Sequence, residues 1–275
     1  MSGTLYVVGT PIGNLGDISP RALETLGNCD FIAAEDTRVT LKLLNRFEIK
    51  KPMVSYFEHN RFERGPVIAE RILSGENCAL VTDAGMPAIS DPGEDLVELC
   101  IEKGIKIESV PGPCAFTTAL AISGMPSKRF SFEGFLPVEK SERKEHISWL
   151  IGETRTMIFY EAPHKISQTL SDLYNALGDR EIAIVREITK IHEEVIKSTL
   201  SEASAKYSKE AIKGELVLIV KGADPEKKEQ MTVEEAAEYA MKLVEKGESK
   251  TQAAKLAAKE SGLKKGDIYK ILIEE

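Results

Sequence analysis

The chain has 275 residues, which suggests two average domains, and 42 % of them are hydrophobic, enough for a buried core. No apolar run approaches the roughly 20 residues that cross a bilayer, and the start, MSGTLYVVGTPIGN, lacks the basic segment of a signal peptide, so a cytoplasmic protein with no membrane part is expected. Cys29, Cys78, Cys100 and Cys114 form no CxxC pair and the four histidines are scattered, which argues against a metal site, while a net charge of −8 argues against a generic nucleic-acid binder.

The first 124 residues alternate strand and helix patterns. Strands are predicted at Thr4–Thr10, Phe31–Glu35, Cys78–Thr82 and Lys106–Val110, each an apolar or β-branched run ending in Gly, Pro or Asp. Helices are predicted between them at Ser19–Leu26, Val39–Phe47, Pro66–Leu73 and Glu94–Glu102, the first opened by a capping Ser19 and by Pro20. This rhythm implies an α/β domain with a parallel-rich sheet, whose ligands bind beyond the carboxyl ends of the strands.

A second α/β domain is expected over 125–222. Its strands fall at Phe130–Phe135, Arg155–Glu161, Glu181–Arg186, Glu193–Thr199 and Glu215–Lys221, with helices at Ser141–Leu150 and Lys165–Leu177. The strands 181–186 and 193–199 read as an antiparallel hairpin, so this sheet is expected to be mixed. A polar linker follows at 223–230. The tail, 231–275, is helical. Thr232–Glu235 and Ser249–Gln252 fit capping boxes, and 251–260, Ser261-Gly262-Leu263 and 264–273 outline a helix-turn-helix. Six lysines against four acids from Ser249 onward leave two readings open, a solvated cap or a nucleic-acid contact.

Chemistry is concentrated in the loops after the strands. Gly9-Thr10-Pro11-Ile12-Gly13-Asn14 allows close backbone approach but is neither a GxGxxG fingerprint nor a P-loop. Glu35-Asp36-Thr37-Arg38 sets two carboxylates and a guanidinium at a sheet edge, either as a helix cap or as a site. Tyr56–Arg61 mixes aromatic, imidazole, amide and guanidinium groups. Thr82–Gly93 is too long for a bare strand-to-helix connection and carries two prolines and two aspartates. Val110–Ala115 repeats the pattern, and Tyr160–Lys165 and Arg186–Lys190 carry charge beyond apolar strands.

The strings VGTPIGNLGDIS, AEDTR, TDAGMPAISDPG, VPGPCAFTTALAISG, FYEAPHK, VREITK and GELVLIV run through nearly the whole chain. Together they resemble the tetrapyrrole-methylase superfamily of S-adenosylmethionine-dependent methyltransferases. Within it the match is to the branch that methylates the ribose 2′-hydroxyl of a cytidine in small-subunit (16S) ribosomal RNA. The first loop, GTPIGNLGDIS, and the third-strand loop depart from the tetrapyrrole-modifying members. A tetrapyrrole C-methyltransferase and a non-enzymatic RNA-binding assembly factor are the competing readings.

The resemblance implies two α/β domains with the cofactor in the cleft between them, a homodimer, and ribosomal RNA, in the assembled 30S subunit, as partner. It places Pro11, Asp83, Ala84, Gly85, Ala88, Ile89, Cys114, Ala115 and Glu161 at S-adenosylmethionine, Glu161 through its backbone. A ribose hydroxyl needs a base to become a nucleophile. Glu35, Asp36 and His59 are the candidates, with a carboxylate of the EDTR loop favoured. Arg38, Asn60, Arg61, Lys165 and Arg186 are candidates for holding RNA, and the chemistry requires no metal.

Overall fold

A computed structural model describes residues 2–224, 232–245, 247–261 and 263–274, which form two compact units, Met1–Gly222 and Ala223–Glu275. The proposed linker 223–230 and Gly262 of the tail turn fall largely or wholly outside the described residues.

The first unit contains two five-stranded sheets. In the first, β1 (Thr4–Val8), β2 (Phe31–Ala34), β3 (Met53–Ser55), β4 (Cys78–Val81) and β5 (Lys106–Val110) are all parallel, in the order β3-β2-β4-β1-β5. The chain builds outward from β2 to β3 and then returns to insert β4 beside β1. Loops after β1, β2, β4 and β5 therefore share one edge, where ligands of open α/β sheets bind. β1 stops before Gly9, short of its expected end, because Thr10 leaves the sheet to bridge Gly85.

Helices cover both faces of this sheet. α1 (Pro20–Asn28) and α2 (Thr37–Arg46) supply Ala22, Leu26 and Leu44 to one core. α3 (Arg61–Leu73) and α4 (Glu94–Glu102) supply Ile68, Ile72, Leu96 and Cys100 to the other. The predicted proline start of α3 is too late. Asn60 opens the helix, its carbonyl accepting the Glu63 and Arg64 N–H groups at 3.1 and 2.9 Å, and Pro66 lies inside.

α5 (Ala115–Ser123) leaves the first sheet and packs on the second, where Ala119 and Leu120 meet Ile158, Ala183, Val185, Val217 and Ile219. Ile12, from the loop after β1, is buried in the same core. The second sheet runs β6 (Phe130–Phe135), β7 (Thr156–Glu161), β10 (Leu216–Val220), β8 (Glu181–Arg186) and β9 (Glu194–Thr199) across its width. β6 and β7 are parallel and the other pairs antiparallel, so the sheet is mixed, and β8–β9 is a hairpin pairing Glu181 with Thr199 and Arg186 with Glu194. α6 (Lys140–Trp149), α7 (Ile166–Leu177) and α8 (Leu200–Tyr207) close its other face.

The second unit is three helices, α9 (Val233–Glu245), α10 (Lys250–Ser261) and α11 (Lys265–Glu274). Its core is built on alanine: Ala236, Ala237, Ala240, Ala253, Ala254 and Ala257 pack with Ile268 and Leu272. Thr232 and Glu235 form the reciprocal capping box, at 2.9 and 3.2 Å. The Lys250 ammonium donates to the Leu272 carbonyl at the end of α11. Among the described residues no helix is long and apolar enough to cross a membrane.

Candidate active-site cleft

Three loops of the first sheet fuse into one floor. Gly9 N–H donates to the Val110 carbonyl at 3.0 Å, and Thr10 and Gly85 exchange backbone hydrogen bonds at 2.9 and 3.2 Å. The Thr10 hydroxyl donates to the Thr82 carbonyl at 3.2 Å. A Cβ on Gly9 would lie 2.7 Å from the Gly112 Cα, and one on Gly112 would lie 2.9 Å from three backbone atoms of Gly9. Only glycines permit that approach of the β1 and β5 loops. In the β4 loop, Ala88 and Ser90 hold left-handed backbone at φ 65° and 63°. Such non-glycine conformations cost of order 1–3 kcal/mol each and persist where the surroundings fix them.

The second sheet supplies the opposite wall through Phe135, Tyr160, Ala162, Pro163, Ile188 and the start of β10. Its β6 bulge at Gly134 brings that strand against Ser90, whose Oγ lies 3.3 Å from where a Gly134 Cβ would be. The cavity between floor and wall, open on one side, measures about 440 Å³, within the range of small-molecule and cofactor sites.

Its charge is one-sided. Glu35, Asp83, Asp91, Glu161 and Glu215 line it, and among the described residues no lysine, arginine or histidine does. Glu161 turns its carboxylate away, accepting from the Thr169 hydroxyl and, at 2.8 Å, from the Ala162 N–H. The Thr82 hydroxyl donates to Glu35 at 2.6 Å. Burial, then the neighbouring charges of Glu35 and Asp83, push the Asp91 carboxyl up to about 6, and the Thr82 hydroxyl opposes that shift only in part. Asp83 is also raised, by burial and by Glu35, while accepting the Asp36 N–H at 3.1 Å. Lys190 pairs with Glu215 at 3.1 Å at one end of the wall, whereas Glu35, Asp83 and Asp91 lie close together with no ion-pair partner among the described residues, and that cluster suits a cationic ligand with an apolar body and disfavours a phosphate.

Of the sequence candidates, Glu35, Asp83, Ala84, Gly85, Ile89, Cys114, Ala115 and Glu161 meet in this cavity. Pro11 and Ala88 adjoin the lining residues Ile12 and Ile89 without forming part of the wall. Asp36 is the cap of α2. Its carboxylate accepts the Arg38 N–H at 2.8 Å and the Arg38 guanidinium at 2.6 Å, and these bonds hold it down at about 2. Asn60 is spent likewise, accepting the Phe57 N–H at 2.9 Å and donating to the Ser55 carbonyl at 3.1 Å.

His59 is exposed, edge-on to Phe57. Arg61 pairs with Glu58 and Asp95 at 3.1 and 3.0 Å, and Arg186 lies 3.6 Å from Glu194 on the neighbouring strand. Lys165 is exposed at the start of α7, and the Arg38 side chain is 87 % exposed. Sequence reasoning missed Asp91, Phe135, Tyr160 and Glu215 as site residues. Asp91 had a signal, since it closes the long loop singled out after β4. Tyr160 opens the stretch Tyr160–Lys165, also singled out, whereas Phe135 and Glu215 come from a second sheet whose approach to the first no local pattern encodes.

Comparison with known proteins agrees with this architecture. The ribosomal RNA small subunit methyltransferase I of Synechocystis sp. is 44 % identical over 273 residues, 99 % of this chain and 98 % of that protein. The Thermotoga maritima protein of the same name is 46 % identical over 222 residues, 81 % of this chain but 100 % of its own length. The crystal structure of the methyltransferase CobJ superposes with a TM-score of 0.61 at 19 % identity, covering 81 % of this chain and 95 % of that one. Residues 4–204 match the tetrapyrrole (corrin/porphyrin) methylases as a family, so the chain belongs to that family of S-adenosylmethionine-dependent methyltransferases.

Proposed function

We propose that the chain transfers a methyl group from S-adenosylmethionine to the ribose 2′-hydroxyl of a cytidine in small-subunit ribosomal RNA. The observation that carries this reading is the acidic cavity. S-adenosylmethionine is a sulfonium cation attached to an adenosine, and a wall of carboxylates and apolar side chains, with no lysine, arginine or histidine among the described residues that line it, matches it in charge and character. The same wall repels the several carboxylates of a tetrapyrrole substrate and admits RNA only through an uncharged group such as a sugar. The names of the relatives supply the RNA, and the family resemblance supplies the cytidine, the 2′-oxygen, the assembled 30S subunit and the homodimer.

Asp83, Ala84, Gly85, Ile89, Cys114, Ala115 and the backbone at Glu161 would hold the cofactor, with Pro11 and Ala88 buttressing them. When bound, it supplies an electrophilic methyl carbon. The chain's own residues align the hydroxyl and take its proton, a contribution of roughly 10²–10⁴-fold for a positioned base. We assign that role to Asp91, with Glu35 beside it: both line the cavity, and a carboxyl with a pKa near neutrality is the better base. Asp36, being capped and held low, orients the loop. His59, Asn60 and Arg61 stand outside the cavity wall, and Arg38, Lys165 and Arg186 are offered to RNA. Residues 1–124 would carry the cofactor floor, 125–222 the opposing wall, and 231–275 an accessory unit.

The test is to offer the purified protein labelled S-adenosylmethionine with either undermethylated small subunits or uroporphyrinogen. Label should enter the RNA, and primer extension at low nucleotide concentration should stop at one cytidine. Label in the tetrapyrrole, or none in RNA while calorimetry shows cofactor uptake, overturns the substrate assignment.

A further inference from the structure

α2 carries basic charge and no carboxylate, alone in this among the helices of the first unit within the described residues. Arg38, Lys42 and Arg46 recur every four residues, so they lie along one face about 6 Å apart in rise, and all three are exposed. The helix buries the opposite face through Thr40 and Leu44. Arg38 contacts Asp36, whereas Lys42 and Arg46 have no ion-pair partner among the described residues. Lys50 and Lys51 follow beyond the helix, after the single acid Glu48. The stripe begins at the cleft, because Asp36 at the head of α2 is hydrogen-bonded to Asp83 in the cavity wall.

A chain of net charge −8 whose cleft repels phosphate must hold a polyanion elsewhere, next to the cleft. We propose that the outer face of α2, Arg38–Lys42–Arg46, is the track on which the phosphate backbone of the substrate RNA lies as it leads a ribose into the cavity. This deepens the RNA reading above and rests on it. Evenly spaced cations on a rigid helix fit a repeating phosphodiester, and they read no base edge, so the track supplies grip and direction rather than sequence choice. An acidic protein segment is the other polyanion such a stripe could bind, and the experiment separates the two.

The probe is a small-subunit RNA fragment containing the methylated cytidine, with binding measured across salt concentrations. In the Lys42→Ala/Arg46→Ala variant the log affinity against log salt should flatten by about 1.4, at ~0.7 per lost contact to a single strand, so the affinity lost between 50 and 200 mM salt shrinks roughly sevenfold. Lys42→Arg/Arg46→Lys should keep the wild-type slope. Lys209→Ala/Lys213→Ala, which removes two exposed charges elsewhere, should keep it too. Calorimetry with S-adenosylhomocysteine checks that the cleft of the alanine variant is intact. A wild-type slope in that variant, or an equal flattening in the Lys209/Lys213 pair, overturns the track. Wild-type protein that binds the cofactor but neither binds nor methylates the RNA overturns the functional reading itself, and that outcome is recognisable before any variant is made.

Discussion

The cavity wall and the outer face of α2 are opposite in kind although one hydrogen bond, Asp36 to Asp83, joins them. Among the described residues the wall gathers carboxylates and no cationic side chain, and the helix face gathers cationic side chains and no carboxylate. Net charge therefore misleads in this protein. The excess of acid counts against a nucleic-acid partner only if it is spread evenly, and part of it is confined where a cation is required. On the reading proposed above, that separation of sign over one short helix would draw a sulfonium inward and keep phosphate out.

The sharpest way to break that contrast is at Asp91. Replacing it with Asn should reduce turnover by roughly 10²–10⁴-fold while leaving cofactor uptake in place. Wild-type turnover should climb with pH through about 6, where Asp91 ionises, and the variant should lose that limb. The groups facing Asp91 are Glu35, Asp83, the Thr82 hydroxyl and Tyr160, so no histidine competes for the assignment. Stability should move the other way. A carboxyl raised in the folded state stabilises the fold while protonated, below its unfolded value near 4, and that contribution is lost as pH rises through about 6. Asn is neutral throughout, so the variant should melt higher than wild type above pH 6, with the gap closing below pH 4. A variant as fast as wild type would transfer the proton to Glu35.

A smaller effect tests whether the acidic wall is a fixed surface. Gly112→Ala sets a methyl against the Gly9 backbone, where neither loop can yield without parting the floor of the cleft. Overpacking of this kind costs typically 1–3 kcal/mol. Chemical denaturation should show that loss, and calorimetry should show weaker uptake of S-adenosylhomocysteine. Gly27→Ala, inside α1 with open space around it, should instead gain about 0.5–1 kcal/mol. Equal behaviour of the two would mean that the β1 and β5 loops are free to separate.

Most of the fold was legible because Gly, Pro and Asp punctuate apolar runs at the strand ends: β5, β6, β8 and α4 have the bounds read from sequence. Besides the short helical turn Leu15–Asp17, three elements were not. β3 is three residues on a sheet edge, too short to alternate. α5 and α8 lack the expected signals for different reasons. AFTTALAIS is apolar around most of its girth because it packs between loop and sheet, with Cys114 rather than a capping residue ahead of it. α8 follows β9 without a break, Thr199 serving as both strand end and cap. At the site, the β4 loop could be chosen for its length and composition, whereas Asp91 and Tyr160 become neighbours only through tertiary packing of the second sheet. Asp36 and Asn60 showed the converse problem. Their residue types serve catalysis and local structure equally well, and here the Asp36 carboxylate is occupied as a helix cap and the Asn60 amide in bonds to the preceding loop.

Asp36 stands on the border of the two regions, so the mildest substitution there is also the most discriminating. Asn caps a helix about as well as Asp, so Asp36→Asn keeps the start of α2 and removes only the charge. The bonds that hold Asp36 at about 2 mean that its ionised form favours the fold above the unfolded value near 4, a contribution lost as pH falls toward 2. The variant should therefore lose a little stability at neutral pH and match wild type in strong acid. Released from its partner, Arg38 should add to the basic stripe, steepening the salt dependence of RNA binding by up to ~0.7. Turnover at saturating RNA should stay within a few-fold, since the proton goes to Asp91. Were Asp36 the base, the same change would abolish turnover without weakening the RNA, because an amide can cap a helix but cannot accept a proton from a hydroxyl.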